Sequence, residues 1–197
     1  MLQPMIDGKS FTLILILFGA AQGGVSTQDT KVDVENLFSP SGFMGDGRAG
    51  REHVEFSAAH EGETDSGAYS IKIVYRFGSR GWAGMYWLNR ADNWGDEPGD
   101  DYSGLGVTRL SFRAKGATGH EVVEFKAGDI RDQKKRYHDS FSKTLGRVRL
   151  SEEWREYTVD LSDADLSSVI GGFCWVASRD SNQGEAITFY LDDIVWE

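Results

Sequence analysis

The sequence predicts an all-β protein, an antiparallel sandwich or barrel, and three observations support this class. From Val32 onward, apolar and polar residues alternate with a period of two, which is typical of strands with one buried face. Only one short segment, 163–170, has the periodicity of a helix. Glycine-rich breaks separate the alternating runs, at 78–81, 96–106, 115–120 and 181–186. Many short strands joined by such turns indicate packed antiparallel sheets.

The predicted strands follow one another along the chain. In the run 68–77, Ile71, Ile73 and Tyr75 share one face with Phe77, while charged residues occupy the other. Five further runs alternate or are apolar, at 82–88, 108–116, 120–128, 154–161 and 186–197. The run 171–178 is apolar on both faces and therefore predicts a central strand that is covered on both sides. The segment 163–170 predicts a helix of one or two turns between strands.

The N-terminal segment 1–23 has the pattern of a secretory signal peptide. It contains Lys9, an apolar run over 11–18 and small residues at 19–21. The apolar run is too short to cross a bilayer, which takes about 20 residues. We therefore expect a secreted or periplasmic protein in which residues 24–197 form a single β-sandwich domain. A buried N-terminal helix is the alternative interpretation.

Charge and cysteine content restrict the possible partners. The formal net charge of the 197-residue chain is −10, so nucleic acid and anionic membrane surfaces are poor partners of the mature protein, whereas metal cations and neutral ligands fit better. The only cysteine, Cys174, cannot form an internal disulfide. Its apolar surroundings predict a buried small side chain rather than a catalytic thiol.

Four segments together resemble one family of folds. The runs 66–75, 150–162, 171–178 and 188–197 are similar, in this order, to strands of galactose-binding-like jelly-roll carbohydrate-binding modules. The resemblance implies a jelly-roll sandwich and, more weakly, a secreted, non-catalytic module that binds a polysaccharide or another glycan, because this fold hosts several unrelated functions.

The resemblance also implies a structural calcium ion beside Asp192. Asp192 has the same parity as Ile194 and Trp196, so it would point inward with them, where a carboxylate needs a cation or several hydrogen-bond donors. In modules of this family, backbone carbonyls and an acidic residue of the N-terminal segment complete the site. The candidates for that residue are Asp46, Glu52, Glu61 and Asp65. Surface exposure or pairing with an arginine is the alternative for Asp192.

The stretch 81–95 is the leading candidate for a sugar site because it holds three tryptophans and a tyrosine. Trp82 and Tyr86 share one face of the predicted strand and Trp87 lies on the other, so at least one large ring is expected at the surface. An aromatic ring can stack on the apolar patch of a pyranose while nearby polar groups bind its hydroxyls. The candidate residues are Trp82, Trp87 and Trp94 for stacking, with Tyr86, Asn89 and Asn93 beside them. Packing in the core or anchoring of a loop is the alternative for each tryptophan.

A second candidate surface is the polar face of two successive strands. Arg113 on the first, and Glu124 and Lys126 on the second, would form a polar groove if these strands line one sheet. Tyr137, at the end of the basic segment 131–138, which we expect to be a mobile loop, could contact the same ligand. A solvated face with weak cross-strand ion pairs is the alternative.

No motif of a known catalytic chemistry is present, although two other functions remain open. A glycosidase needs two carboxylates placed across the scissile bond, and no compact strand motif of alternating carboxylates occurs. A G-x-S-x-G nucleophile motif is also absent. A jelly-roll polysaccharide lyase or glycosidase is one alternative, and a structural or adhesion domain with no small ligand is the other.

Overall fold

Two antiparallel β-sheets packed face to face make up the computed structural model of the chain, which describes residues 30–61, 67 and 69–197. The predicted signal peptide and Asp65 lie outside the described residues. Among those residues, no helix is both long and apolar enough to cross a bilayer.

The strands are β1 (Val32–Asp33), β2 (Ser39–Gly45), β3 (Val54–Glu61), β4 (Tyr69–Arg76), β5 (Trp82–Leu88), β6 (Arg109–Gly116), β7 (Val122–Gly128), β8 (Ser142–Arg149), β9 (Arg155–Asp160), β10 (Gly171–Ser178) and β11 (Ala186–Trp196). A one-turn helix, α1 (Val34–Leu37), follows β1, and short 3₁₀ turns occur at Arg48–Gly50, Ser103–Leu105 and Arg179–Ser181.

The strands divide between two sheets. Sheet I has the order β3-β4-β11-β6-β9, with β1 beside β11, and sheet II has the order β2-β5-β10-β7-β8. The chain crosses from sheet II to sheet I between β5 and β6 and returns to sheet II between β6 and β7, and β8 then pairs with β7 in sheet II. This confirms the predicted antiparallel sandwich.

Aromatic side chains fill the space between the sheets. Phe173 of β10 lies at the centre, with its ring centroid 5.2 Å from Trp87, 5.0 Å from Phe112 and 5.9 Å from Phe125. Burial of large aromatic groups is the main favourable term in such a core. The predicted alternation of β4 is confirmed, because Ile71, Ile73 and Tyr75 are buried.

The opposite face of β10 is also covered, as its apolar sequence predicts. Cys174 packs there with Tyr86, Leu88, Ile130 and Ile170 in a second cluster outside the sandwich. Burial raises the pKa of the Cys174 thiol, so the side chain behaves as a small apolar group.

Two predicted features of the backbone are wrong. Residues 163–170 form turns rather than a helix, because the backbone N–H and carbonyl of Val169 are both hydrogen-bonded to Asp100 in an antiparallel bridge. In β11, a bulge shifts the register between Asp192 and Val195, and Asp193 has a φ of 53°. The extra residue reverses the alternation, so Leu191 and Ile194 both enter the core, while Asp192 lies on the other face, where it is nevertheless buried.

Candidate functional site

The outer face of sheet II carries a groove. Side chains of a strand alternate between faces, so Trp82 and Tyr86 of β5 point out of the sandwich, whereas Met85 and Trp87 point into the core. The groove has a volume of about 630 Å³, within the range of ligand sites. Its lining residues are Met44, Trp82, Tyr86, Trp94, Lys126, Asp129, Ile130, Arg131, Asp132, Lys135 and Val176.

Two loops, 89–100 and 129–139, form one wall of the groove and hold each other in place. Lys135 Nζ donates to Asp96 Oδ1 at 2.7 Å, and the Tyr137 N–H donates to the carbonyl of Gly95 at 3.0 Å. Gly95 has a φ of 99°, and a Cβ there would lie 2.4 Å from the Tyr137 carbonyl oxygen. The close approach of the loops therefore requires glycine at this position.

Asp139 fixes the base of the second loop. Its buried carboxylate accepts hydrogen bonds from the backbone N–H groups of Ile130 at 2.8 Å, Ile170 at 2.5 Å and Gly171 at 3.2 Å. Burial raises the pKa of Asp139 to about 6, although these three N–H groups favour the charged form. The loop is thus hydrogen-bonded at both ends.

Two tryptophans present indole surface to the groove. Trp82 is 38% exposed at the start of β5. Trp94 is half-buried and packs edge-on against Tyr86, with 5.9 Å between the ring centroids. Trp82 is therefore the ring that is most available for stacking, while Trp94 also supports the loop.

Several predicted contact residues lie away from the groove or have no free polar group. Trp87 is fully buried against Phe173, so it cannot stack on a ligand. Asn93 is buried and uses both amide atoms inside its loop, donating to Asn89 Oδ1 and Glu97 O and accepting from the N–H groups of Gly95 and Glu97. Asn89 likewise donates to Pro98 O at 3.0 Å. Both asparagines shape the loop that carries Trp94.

The predicted polar surface of two neighbouring strands is split between the sheets. Arg113 belongs to β6 of sheet I, whereas Glu124 and Lys126 belong to β7 of sheet II. Lys126 lines the groove and pairs with Glu124 at 3.4 Å. Tyr137 packs beside Tyr86 and Trp94 rather than in the groove lining. Arg113 is therefore removed from this site, and Lys126 stays in it.

Sequence reasoning missed the contribution of the segment that follows β7. Asp129, Arg131 and Asp132 are exposed and line the groove, and Asp129 has a φ of 77°. A glycine and an aspartate at the end of a predicted strand were the available signal, since these residues accept positive φ where a chain turns sharply.

The residues that were predicted to bind calcium with Asp192 lie in different parts of the structure. Burial, together with the charges of Asp192, Asp33 and Asp193, raises the pKa of Glu35 to about 7, so Glu35 of α1 is an acidic residue of the N-terminal segment that lies near Asp192. Glu52 is exposed in the turn before β3, and Glu61 is exposed at the end of β3. Within the described ranges, no group of three or more His, Cys, Asp and Glu side chains is already arranged around a common ion position.

Asp46 does not fit the role of calcium ligand. Its buried carboxylate accepts hydrogen bonds from Tyr75 Oη at 2.5 Å, Gly78 N at 2.9 Å and Arg80 N at 2.6 Å. Burial alone would raise its pKa, but these donors hold the pKa of Asp46 below its usual value. Asp46 is a structural anion that joins β2 to the turn after β4.

Comparison with known proteins identifies solved structures with a similar fold. No family model matches the sequence, and no curated protein matches it either. A family 30 carbohydrate-binding module of the cellulosomal cellulase Cel9D-Cel44B of Clostridium thermocellum is similar in structure, with a TM-score of 0.54 and 16% identity over 85% of this chain and 97% of the module. Another structure of a family 30 carbohydrate-binding module has a TM-score of 0.50 and 15% identity over 85% of this chain and 98% of the other. The protein thus has the jelly-roll sandwich fold of carbohydrate-binding modules.

Proposed function

We propose that the protein is a non-catalytic carbohydrate-binding module that holds a polysaccharide in the groove of sheet II. One observation carries the proposal, namely that the partly exposed indole of Trp82 lines an open groove bordered by polar side chains. The likeness of fold to modules that include one from a cellulosomal cellulase supports the same function.

The groove offers the two kinds of contact that a sugar needs. The faces of Trp82 and Trp94 can pack against the C–H surface of a pyranose ring. Asp129, Arg131 and Asp132 can bind hydroxyl groups at the rim, where both donors and acceptors are present. An open groove, unlike a closed pocket, admits an internal segment of a long chain.

The experiment is affinity gel electrophoresis against barley β-glucan, xyloglucan, hydroxyethylcellulose and xylan, followed by calorimetry with the polymer that retards the protein. Trp82→Ala should weaken binding about tenfold, corresponding to about 1.4 kcal/mol, because the stacking surface is lost. The matched control is Tyr69→Ala, which removes an exposed aromatic ring from sheet I and should leave the affinity unchanged.

Three outcomes separate the candidate functions. Retardation without release of reducing sugar or unsaturated uronate supports a binding module. Product release with the wild-type protein would make it an enzyme, and absence of both binding and product would favour a structural or adhesion domain. Equal affinity of the wild type and the Trp82→Ala variant would move the site elsewhere.

We also propose that a calcium ion stabilises the contact between α1 and β11. Glu35 and Asp192 are its protein ligands. Burial of Glu35, together with the nearby charges of Asp192, Asp33 and Asp193, raises its pKa, and a cation would neutralise this group of charges. The chemistry that the ion supplies is structural, since it joins the N-terminal segment to the last strand.

Removal of the metal tests the calcium proposal. Calcium added after treatment with EDTA should raise the melting temperature by several degrees, and magnesium should do so less, because the mixed carboxylate and carbonyl ligands suit loose calcium geometry. Glu35→Gln should abolish the calcium response, whereas Glu52→Gln, an exposed glutamate elsewhere, should retain it. A wild-type protein that is indifferent to calcium would contradict the proposal.

Export remains part of the proposed function. The order of charged, apolar and small residues in 1–23 favours secretion, which would bring the protein to polysaccharides outside the cell.

A further inference from the structure

The groove continues across sheet II into two further depressions. Val176 lines both the groove and a small depression of about 50 Å³ beside Glu124 and Arg147. Ser181 lines that depression and also an end pocket of about 690 Å³ at one end of the sandwich. Shared lining residues make the three depressions neighbours, and together they form a track across the outer face of sheet II.

The strand register gives the course of this track. Met44, Gly84, Val176, Glu124 and Arg147 stand opposite one another in a row across all five strands of sheet II, on the face away from the core. From β5 to β8 the row spans three strand spacings, roughly 14 Å. That length exceeds one sugar ring, so a polymer can contact both ends while a monosaccharide cannot.

The walls of the end pocket are held by their own hydrogen bonds. Glu121 is buried and accepts from the N–H groups of Thr118 at 2.9 Å and His120 at 3.1 Å, so its charge is already satisfied. Asn182 accepts from Val122 N at 2.8 Å and donates to Val122 O at 2.9 Å, which ties the loop after β10 to β7. The pocket is therefore formed before any ligand arrives.

Two arginines lie on the β8 side of the track, beside Glu124 and Glu121, whose carboxylates already have partners. Arg147 and Arg149 project outward from β8, in the row and in the end pocket respectively, and no carboxylate of the described residues lies within ion-pair distance of either. By contrast, Lys126 of β7 and Lys135 of the neighbouring loop, which both line the groove, pair with Glu124 and Asp96. Two arginines without carboxylate partners, in a chain of net charge −10, form a local site for an anion.

We propose that Arg147, Arg149 and the end pocket form a second subsite that binds an anionic sugar unit, carrying a carboxylate or a sulfate, of the same polysaccharide. This inference rests on the proposed function, since the neutral part of the chain lies in the Trp82 groove. A guanidinium donates two parallel hydrogen bonds to either anion, whereas hydroxyl groups offer no such match. His120 and Gln183, which also line the pocket, supply further donors.

The experiment compares matched polymers by affinity electrophoresis and calorimetry. The first pair is glucuronoxylan and the same polymer after carboxyl reduction, and the second is dextran sulfate and dextran. The variant is Arg147→Gln/Arg149→Gln, and the control is Arg155→Gln, which removes an exposed cation from β9 of sheet I. Melting temperatures check that all variants fold.

The proposal expects at least one anionic polymer to bind about tenfold more tightly than its neutral partner, a preference that the double variant loses and the control retains. The pair that shows the preference identifies carboxylate or sulfate as the anion. Equal binding within both pairs would overturn the subsite, as would an equal loss in the Arg155→Gln control, which would indicate diffuse attraction only.

The two proposals fail separately. If Trp82→Ala weakens binding of neutral polymers and the double variant does not change the anionic preference, the groove stands and the subsite falls. If anionic polymers bind through the arginines but independently of Trp82, the subsite stands and the groove falls.

Discussion

At the scale of single residues, position within a strand decides which tryptophan can contact a ligand. Trp82 and Trp87 are five residues apart on β5, so they face opposite sides of sheet II, one in the groove and one against Phe173. The sequence predicts this opposition, but both faces carry aromatic residues, so it does not decide which face is solvated. That choice depends on which side the second sheet covers.

Residue type alone is a poor guide to polar contacts. Asn93 has the chemistry to bind a hydroxyl group, yet its amide already makes hydrogen bonds within the loop. Lys126 has no such loop role and reaches the groove. Short polar side chains in turns often hydrogen-bond to nearby backbone groups and are then not available to a ligand. The presence of Asn or Asp in a turn is therefore weak evidence for a binding site.

Asp46 offers a prediction about a single buried carboxylate. Asp46→Asn places an NH₂ donor where Tyr75 Oη or the N–H groups of Gly78 and Arg80 now donate. We expect a loss of about 2–4 kcal/mol in the free energy of unfolding, measured by urea denaturation, because donors would face each other in a buried site. Asp180→Asn, at an exposed position, should change it by less than about 0.5 kcal/mol. A small loss for Asp46→Asn would show that the turn after β4 is held by other contacts.

At the scale of elements, the strands with strong burial patterns were predictable, whereas the edge strands β2, β3 and β8 were not. β4, β6, β7 and β10 carry clear apolar faces. β3 and β8 lie at sheet edges with many exposed residues, so they leave little periodic signal and were not predicted. Burial on only part of one face weakens the alternation on which strand prediction depends.

Connections between elements account for the misplaced site residues. The glycine-rich turn 115–120 suggests that β6 and β7 are neighbours, but the chain crosses from sheet I to sheet II there. Arg113 and Lys126 therefore face opposite sides of the sandwich. The bulge in β11 also misplaces predicted residues. The inserted residue moves the side chains that follow it to the opposite face of the sheet, and nothing in the sequence pattern of the strand indicates this.

At the scale of the whole molecule, the carboxyl groups with shifted pKa values fall into two sets of opposite effect. The pKa of Asp139 is raised to about 6 and that of Glu35 to about 7, chiefly by burial. Hydrogen bonds from Lys31 and Ser111, with the Arg109 pair, lower the pKa of Glu197 to about 2, and the pKa of Asp46 is also lowered. A carboxyl group whose pKa is raised on folding stabilises the folded state increasingly as the pH falls. A carboxyl group whose pKa is lowered on folding stabilises it increasingly as the pH rises.

These two sets predict that stability passes through a maximum between pH 4 and 6 in metal-free buffer. As the pH falls from about 7, folded Asp139 and Glu35 take up protons before the unfolded chain does, which stabilises the fold. As the pH falls from the ordinary Glu pKa of 4.5 to the folded pKa of about 2, the contribution of ionised Glu197 to the free energy of unfolding is progressively lost. Urea unfolding in EDTA at pH 7.5, 5 and 3 should give the highest midpoint at pH 5.

The Glu197→Gln variant tests the lowered pKa separately. It should lower the free energy of unfolding by about 1 kcal/mol at pH 5 and by almost nothing at pH 2. The figure is modest because Lys31 and Arg109 are more than half exposed and screened by water. A midpoint that falls steadily from pH 7.5 to 3 would contradict the raised pKa values, and an equal cost of Glu197→Gln at pH 5 and pH 2 would contradict the lowered one.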